Sequence, residues 1–482
     1  MRKLSLFAIL FSLTFISPIS AFAAPYRSMQ ISFANMGSPD ALTKMERINP
    51  LYIFNNPFWE NRIISWSDLK KIHARLPDTK VILHLTCCSI FNPSELDSPI
   101  AKINFSTQNT QMDFNSAWNN HQDAFMKNVK GDYVYHRNEK NGEMWTNEGD
   151  GFLMDPANEY YQDLLYNRIK QHIVGRGFDG VYLDVMYPVF MSPFYFSRPA
   201  ENGQVIDNVA WQSKLISLSN YLVTRQQKDP DPAMQNALII TNSVGGGPGD
   251  SNDPIDRVAY NRDLRTKGVQ IENPFHNYKE ANVESWLNTI SRIREITALR
   301  NGQMAGWLNY HHSDRMKNTA ECESHALFAY ASYLLANESP NFAFYFQCKI
   351  VAGQKVNQVE PSETLTQIRL GKDQGQYSKT NSLYLRSFEN GLVLVNPTNR
   401  AHSYTSPLDL KNAYGSTLYP TGKQFAVPAH SGLVLISADK TPPVDFNQDG
   451  KVTKEDHAAL ISEFGKPYTI FDYNKLVRAL KK

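Results

Sequence analysis

Cysteine is scarce. The chain carries four in 482 residues, too few for a disulfide scaffold. Charge of one sign is scarce too, since 49 basic residues stand against 47 acidic ones. The formal excess of +2 equals Arg2 plus Lys3, both at the extreme N-terminus. The remainder is neutral, which excludes the basic surplus that drives counterion-releasing nucleic-acid binding. No run after the N-terminal segment approaches the length of a membrane-spanning helix, so no transmembrane segment is expected. No Cys-x-x-Cys or His-x-x-x-His spacing suggests zinc. No Gly-x-Gly-x-x-Gly follows the first candidate strand, which weighs against a dinucleotide site. What is present is apolar substance: 42% hydrophobic residues, 12% of the chain aromatic. That is enough to bury a large core, and it excludes disorder as the main state.

The N-terminus has three parts. Arg2 and Lys3 precede a mostly apolar run, Leu4 to Ile16, and Ala21-Phe22-Ala23 is a small-x-small cleavage pattern. Residues 1–23 therefore read as a secretory signal peptide, with cleavage before Ala24. The mature chain is expected to be exported, to the extracellular space or the periplasm. An oxidising compartment permits a Cys322–Cys348 bridge. Cys87 and Cys88 are adjacent, and a bridge between neighbours is strained. The alternative is four small buried hydrophobes.

From Ser28 to about Ala352 short apolar runs alternate with longer helical stretches. Candidate strands are Met29–Phe33, Leu51–Phe54, Lys80–Thr86, Val181–Asp184, Ala237–Asn242, Gly268–Glu272 and Ala305–Tyr310. Near-continuous apolar strands fit a parallel sheet covered by helices. The clearest helix follows Asp155-Pro156, with Asp155 as the expected N-cap and Pro156 in the first turn. Leu165, Ile169 and Ile173 then share one face, and Gly175 and Gly177 end the helix. Repeated units of this kind favour a (β/α)8 TIM barrel over residues 24–355; a doubly wound sheet is the competitor. Residues 365–438 read as a small antiparallel β-sandwich, because short alternating strands are joined by turns without helices. Thr441-Pro-Pro443 reads as a linker, and residues 441–482 as a separate helical module.

The chemistry concentrates at strand ends. In Gly177-Phe-Asp-Gly-Val-Tyr-Leu-Asp184 the alternation of a strand places Tyr182 and Asp184 on one face. A carboxylate ending an apolar strand is costly unless used or paired, and barrel enzymes place catalytic groups at strand C-termini. Glu272 ends Gly-Val-Gln-Ile-Glu in the same way. Two such carboxylates can divide labour, one ionised and one carrying a proton. Asp184 and Glu272 are therefore the candidate catalytic pair; salt bridging or substrate binding are the alternatives. His84, Asp155, Asn242, Asn309, His311 and His312 also fall at strand ends, and Asp155 fits a helix cap better than catalysis. Trp145, Trp307 and Tyr310 are candidate stacking surfaces for sugar rings. Gly245-Gly-Gly-Pro-Gly249 lacks a following Lys-Ser/Thr and reads as a rim loop rather than a phosphate loop.

Asp155-Pro-Ala-Asn158, the Phe178-Asp-Gly-Val-Tyr-Leu-Asp184 stretch and strand-end Glu272 together resemble TIM-barrel glycoside hydrolases, in particular hypothetical glycosyl hydrolase family 15. Phe388-Glu-Asn-Gly-Leu-Val-Leu-Val-Asn-Pro397 resembles the β-sandwich that follows such barrels. The resemblance spans roughly residues 28–437. It implies a glycosidase in which Asp184 is a catalytic carboxylate, without naming a sugar.

A different signal lies near the C-terminus. In Asp445-Phe-Asn-Gln-Asp-Gly-Lys-Val-Thr-Lys-Glu-Asp456, oxygen-bearing Asp445, Asn447 and Asp449 occupy positions 1, 3 and 5 of an EF-hand loop. Gly450 makes the turn, Lys451 offers a main-chain carbonyl and Asp456 closes the loop where glutamate is usual. Calcium is the expected ion. With the helix His457 to Phe464, the segment resembles a dockerin repeat. Ile470–Val477 resembles the close of a second repeat whose first ligands are missing. The resemblance implies a cohesin-like partner. The reading is thus a secreted glycoside hydrolase cleaving O-glycosidic bonds of a polysaccharide. The rivals are a non-catalytic carbohydrate-binding or adhesion protein and a polysaccharide deacetylase; the latter needs a His/Asp metal cluster, for which no spacing is evident.

Overall fold

The computed structural model describes residues 27–31, 36–57, 62–94, 107, 109–135, 151–190, 197–244, 256–275, 282–316, 318–352, 355–413 and 417–438, without the side chains of 31, 311–315 and 351–359. The signal segment 1–23, Trp145, the 245–249 loop and the whole 441–482 module lie outside the described residues. So therefore do Asp445, Asn447, Asp449, Lys451 and Asp456, and the side chains of His311 and His312.

Eight parallel strands form the main sheet. They are β1 (Met29–Ile31), β2 (Tyr52–Asn55), β3 (Lys80–Thr86), β4 (Gly180–Asp184), β5 (Leu238–Val244), β6 (Gly268–Glu272), β7 (Ala305–Met316) and β8 (Phe342–Ala352), neighbours in that order. A parallel bridge between Ser28 and Phe344 brings β8 back towards β1 and nearly closes a barrel. Each crossover carries a helix: α1 (Pro39–Ile48), α2 (Trp66–Arg75), α3 (Glu159–Arg176), α4 (Asn208–Lys228), α5 (Arg257–Asp263), α6 (Val283–Gly302) and α7 (Thr319–Ala336). This is the TIM-barrel expectation with its order intact. The strand left without residues in the sequence reading is β8. Among the described residues no helix is long and apolar enough to cross a membrane.

Side-chain alternation splits the barrel into two layers. Met29, Tyr52, Phe54, Ile82, Tyr182, Ile240, Ala305, Trp307, Ala343 and Tyr345 pack together inside. Val81, Leu83, Leu85, Val181, Leu183 and Ile239 point outward and meet the helices. The start of α3 differs from expectation. Asn158, not Asp155, is the N-cap, accepting from the Tyr161 N–H at 3.3 Å. Asp155 instead closes the turn before it, accepting from the Ala157 N–H at 2.8 Å. The Asn158 N–H donates to the Asp155 carbonyl at 3.0 Å, so residues 155–158 make a turn of their own ahead of the helix. Leu165, Ile169 and Ile173 are buried as their spacing implies. Gly175 stays helical, and Gly177 alone ends α3, with φ +80°, a conformation that favours glycine.

After β8 the chain doubles back as β9 (Lys355–Val359), antiparallel to β8. A second sheet follows, built from β10 (Ser378–Thr380), β11 (Leu383–Phe388), β12 (Gly391–Asn396), β14 (Leu410–Asn412), β15 (Leu418–Tyr419) and β17 (Ser431–Ser437). A separate pair, β13 (His402–Thr405) and β16 (Gln424–Val427), runs beside it. Val427 shares a core with Leu383, Leu392, Leu394, Leu410 and Leu435, so this region is all-β. Its other face lies against α7, where Gly432 leaves room for Ala331.

Two bonds secure this arrangement. A Cys322–Cys348 disulfide ties α7 to β8, the pairing that an oxidising compartment allows. Arg386 of β11 is 2% exposed. Its guanidinium donates to the carbonyls of Leu334 (3.1 Å) and Asn337 (2.8 Å) at the end of α7 and to Gly375 O (2.8 Å). Asp373 and Glu338 flank it at 3.3 and 3.7 Å. A cation there satisfies orphan carbonyls and opposes the negative end of the helix dipole. We expect Arg386→Met to cost about 3 kcal/mol, read as a lower urea midpoint of the full chain, with the Arg400→Met variant unaffected.

Candidate active site

Register decides what meets at the barrel mouth. His84 pairs with Tyr182 and Thr86 with Asp184 across β3–β4. Gln270 pairs with Asn242, Glu272 with Asn309, and Asn309 with Tyr345 across the next strands. The inward positions at the C-terminal ends thus form a polar ring above an aromatic floor. In the floor, Trp307 stands 5.2 Å from Phe54 and 5.7 Å from both Tyr52 and Tyr182, centroid to centroid.

Asp184 gathers donors. Its Oδ1 accepts from Asn242 Nδ2 (2.8 Å), the Val185 N–H (2.8 Å) and the Tyr182 hydroxyl (3.3 Å). Its Oδ2 faces His84 Nε2 at 3.2 Å, and a carboxylate oxygen makes that nitrogen the donor. Burial alone pushes the Asp184 carboxyl up. The His84 hydrogen bond and charge, then Asn242 and the Val185 N–H, more than reverse this and hold the group below the ordinary carboxylate value. Its side chain remains 31% exposed, so the ionised group faces the opening.

Glu272, also partly open, is joined to Asp184 through two side chains. Tyr187 donates its hydroxyl to Glu272 Oε2 at 2.6 Å. Asn242 Nδ2 lies 2.6 Å from that hydroxyl and 3.3 Å from Glu272 Oε2. An amide nitrogen has two hydrogens. They go to Asp184 Oδ1 and to the Tyr187 oxygen, which frees the tyrosine proton for Glu272. Burial, then the charges of Glu272 and Asp184, raise the Tyr187 hydroxyl well above its ordinary value, so it stays a donor. Because one nitrogen reaches both carboxylates, their nearest oxygens lie within about 6 Å of each other.

The other candidates divide. His84 and Asn242, 4% and 3% exposed, touch the carboxylates directly. Tyr182 touches Asp184 from below. Asn309 is buried beside Glu272 in the ring. Trp307 is fully buried in the floor, so the structure places it beneath the site and not on a surface that a sugar can stack against; four-ring packing covers its faces. Tyr310 points outward, 4.3 Å from Phe346 in the helix-side core, because it is one residue out of phase with Asn309. Asp155 lies apart. It pairs with Lys214 at 2.8 Å and lines a separate cleft of about 260 Å³ with Asp123, Lys127 and Glu201. Tyr187 was missed by sequence reasoning: it follows β4 in a loop, where no periodicity marks a side chain that returns to the mouth. Among the described residues no group of three or more His, Cys, Asp or Glu is placed to hold a metal ion.

Amy13B of Eubacterium rectale superimposes with a TM-score of 0.50 at 12% identity, over 86% of this chain and 96% of that one. An α-amylase from Malbranchea cinnamomea gives 0.46 at 10% identity (86% and 97%). The maltogenic α-amylase AmyB of Thermotoga neapolitana gives 0.44 at 11% (86% and 99%). At such identity the first likeness speaks for the fold alone. No curated protein sequence matches the chain. The sequence model described as hypothetical glycosyl hydrolase family 15 matches residues 73–392. That span is more than half of the chain and contains both carboxylates: the protein belongs to hypothetical glycosyl hydrolase family 15 and is a glycoside hydrolase.

Proposed function

We propose that the protein cleaves O-glycosidic bonds of a polysaccharide with retention of configuration, Asp184 acting as nucleophile and Glu272 as acid and base. The observation that carries this is the shared Asn242 amide. It keeps the nearest oxygens of the two carboxylates within about 6 Å, which favours the close spacing of a retaining pair over an inverting pair that must leave room for a water. Asp184, with four donors, is the ionised partner. Its carboxylate attacks the anomeric carbon while Glu272 gives its proton to the departing glycosidic oxygen. Glu272 then takes a proton from water, which attacks the same carbon and releases Asp184. Asn242, Asn309, Tyr187 and His84 border the ring position.

We expect Asp184→Ala to lower kcat on a glycan panel by about 10³-fold or more, with azide restoring turnover as a glycosyl azide of inverted configuration. Glu272→Gln should lower it comparably on substrates with poor leaving groups and far less on activated aryl glycosides. Wild-type turnover by both variants would defeat the assignment, and a product of inverted anomeric configuration from the wild type, by proton NMR, would defeat retention.

The depressed Asp184 pKa sets the acid limb of activity. Above it the nucleophile is ionised; as pH falls through it, activity is lost. Removing the His84 bond leaves the upward push of burial less opposed. His84→Ala should therefore move the acid limb of kcat/KM to higher pH, while the basic limb stays in place. An unmoved acid limb would mean that His84 does not tune Asp184.

We further propose that the chain is exported through residues 1–23 and that 445–456 holds calcium, within a module that docks to a cohesin-like partner. The oxygen spacing supports the ion. Isothermal titration of the full chain should show calcium binding that is abolished in Asp445→Ala/Asp449→Ala, with glycan turnover unchanged. Equal binding by the variant would remove the loop from consideration.

A further inference from the structure

Strand β3 ends at Thr86, and the next two residues, Cys87 and Cys88, are joined to one another by a disulfide. Both are fully buried. The pair reaches the site through the backbone, since the Cys87 N–H donates to the main-chain carbonyl of Asp184 at 3.0 Å. Two residues before Thr86, on the same strand, His84 holds the Asp184 carboxylate. One strand end therefore grips Asp184 twice, by its main chain and by its side chain.

The backbone on both sides of that grip is unusual. Cys88 has φ +67° and Val185 has φ +62°, a region that glycine takes readily and a β-branched residue resists. Strain of this kind persists only where the surroundings over-determine it. Cys88 is held by its disulfide, by its N–H donating to the Tyr161 hydroxyl at 2.6 Å, and by its carbonyl accepting from the Met154 N–H at 2.9 Å. Val185 is held by its N–H on Asp184 Oδ1 at 2.8 Å. The Cys87-to-Asp184 bond ties one strained turn to the other. A bridge between neighbouring residues closes a ring around a single peptide unit and removes most of its rotational freedom.

We propose that the Cys87–Cys88 disulfide is a positioning element for Asp184, fixing the end of β3 so that the carboxylate stays aimed at the substrate carbon opposite Glu272. The inference rests on the reading of Asp184 as the nucleophile. Reduction would consume two electrons and two protons, supplied by a dithiol such as dithiothreitol that closes to its own cyclic disulfide. The products are two thiols whose turn can relax.

The test compares the full-length wild type, oxidised and dithiothreitol-reduced, with Cys87→Ser/Cys88→Ser and, as control, Cys322→Ser/Cys348→Ser. Kinetics on the best substrate of the panel are paired with amide hydrogen exchange, which needs no activity. Breaking the 87–88 bridge should lower kcat by about tenfold to a hundredfold, leave KM within about twofold, and shift the acid limb to higher pH as the His84 contact loosens. Exchange should quicken in 84–88 and 180–187 and nowhere else, and reoxidation should restore both readouts. The control should keep its kcat and its exchange in those segments. Unchanged kcat with unchanged exchange would overturn the proposal, as would a loss shared equally by the control. If the double variant does not fold, the reduction and reoxidation cycle of the Cys322→Ser/Cys348→Ser variant, in which 87–88 is the one bridge left, decides on the same terms. Should Asp184→Asn prove fully active, the nucleophile reading fails by itself. The exchange data then judge the link between the disulfide and the β4 end separately.

Discussion

Two carboxylates facing one another across a narrow mouth repel, and a single amide nitrogen keeps them together. Asn242 Nδ2 bonds Asp184 directly and passes its second hydrogen to Tyr187, whose own proton goes to Glu272. The arrangement gives the two acids unequal company. Asp184 receives the main-chain N–H of Val185 from its own turn and the Asn242 side-chain amide from the neighbouring strand, besides His84 and Tyr182, whereas Glu272 accepts from the neutral Tyr187 hydroxyl. Inequality of environment is what lets chemically similar groups take different roles. Everything that sets the position of Asn242, from the register of β5 to the closure of the barrel, therefore bears on the chemistry.

That closure depends on contacts far from the mouth. Tyr52 of β2 sends its hydroxyl past β1 to the carbonyl of Asn341, just before β8, at 2.7 Å, spanning the seam where β8 returns to β1. The aromatic floor fills the interior beneath the polar ring, so the ring cannot sink. Outside, α7 is held on one side by the Cys322–Cys348 bridge and on the other by Arg386. The all-β region thus completes the burial of the C-terminal two thirds of α7, where nearly every residue from His325 to Ala336 is buried. Its attachment to the barrel is structural before it is functional.

The strand-end carboxylates were legible because burial makes a lone acid conspicuous: Asp184 and Glu272 each end an apolar run. The barrel was legible for a similar reason, since seven of its strands and the apolar face of α3 show in the periodicity. The cap of α3 lies three residues beyond Asp155, because Asp155-Pro156 carries the usual starting signal but belongs to a separate turn closed by the Asp155 carbonyl and carboxylate. The eighth strand, Phe342–Ala352, follows α7 after five residues, and its opening Phe342-Ala-Phe-Tyr-Phe346 is apolar without alternation, so no period marks it as a strand. By residue type Trp307 and Tyr310 are candidate sugar platforms, although aromatic residues near strands more often belong to the core. Their identity suits that role, and only the direction of each ring removes it.

The sequence by itself determined the fold class and which acids would be costly to bury, because those follow from the local alternation of apolar and polar residues. It left the pairing of the four cysteines open, and the structure joins Cys322 to Cys348 and the adjacent Cys87 to Cys88. The tertiary structure decided what those acids touch. Tyr187, the double use of Asn242, the bond between Cys87 and Cys88, and the left-handed turns at Cys88 and Val185 all arise from contacts between separate strand ends. Register and barrel closure create such contacts, and the one-dimensional pattern of a single strand carries no record of its neighbours.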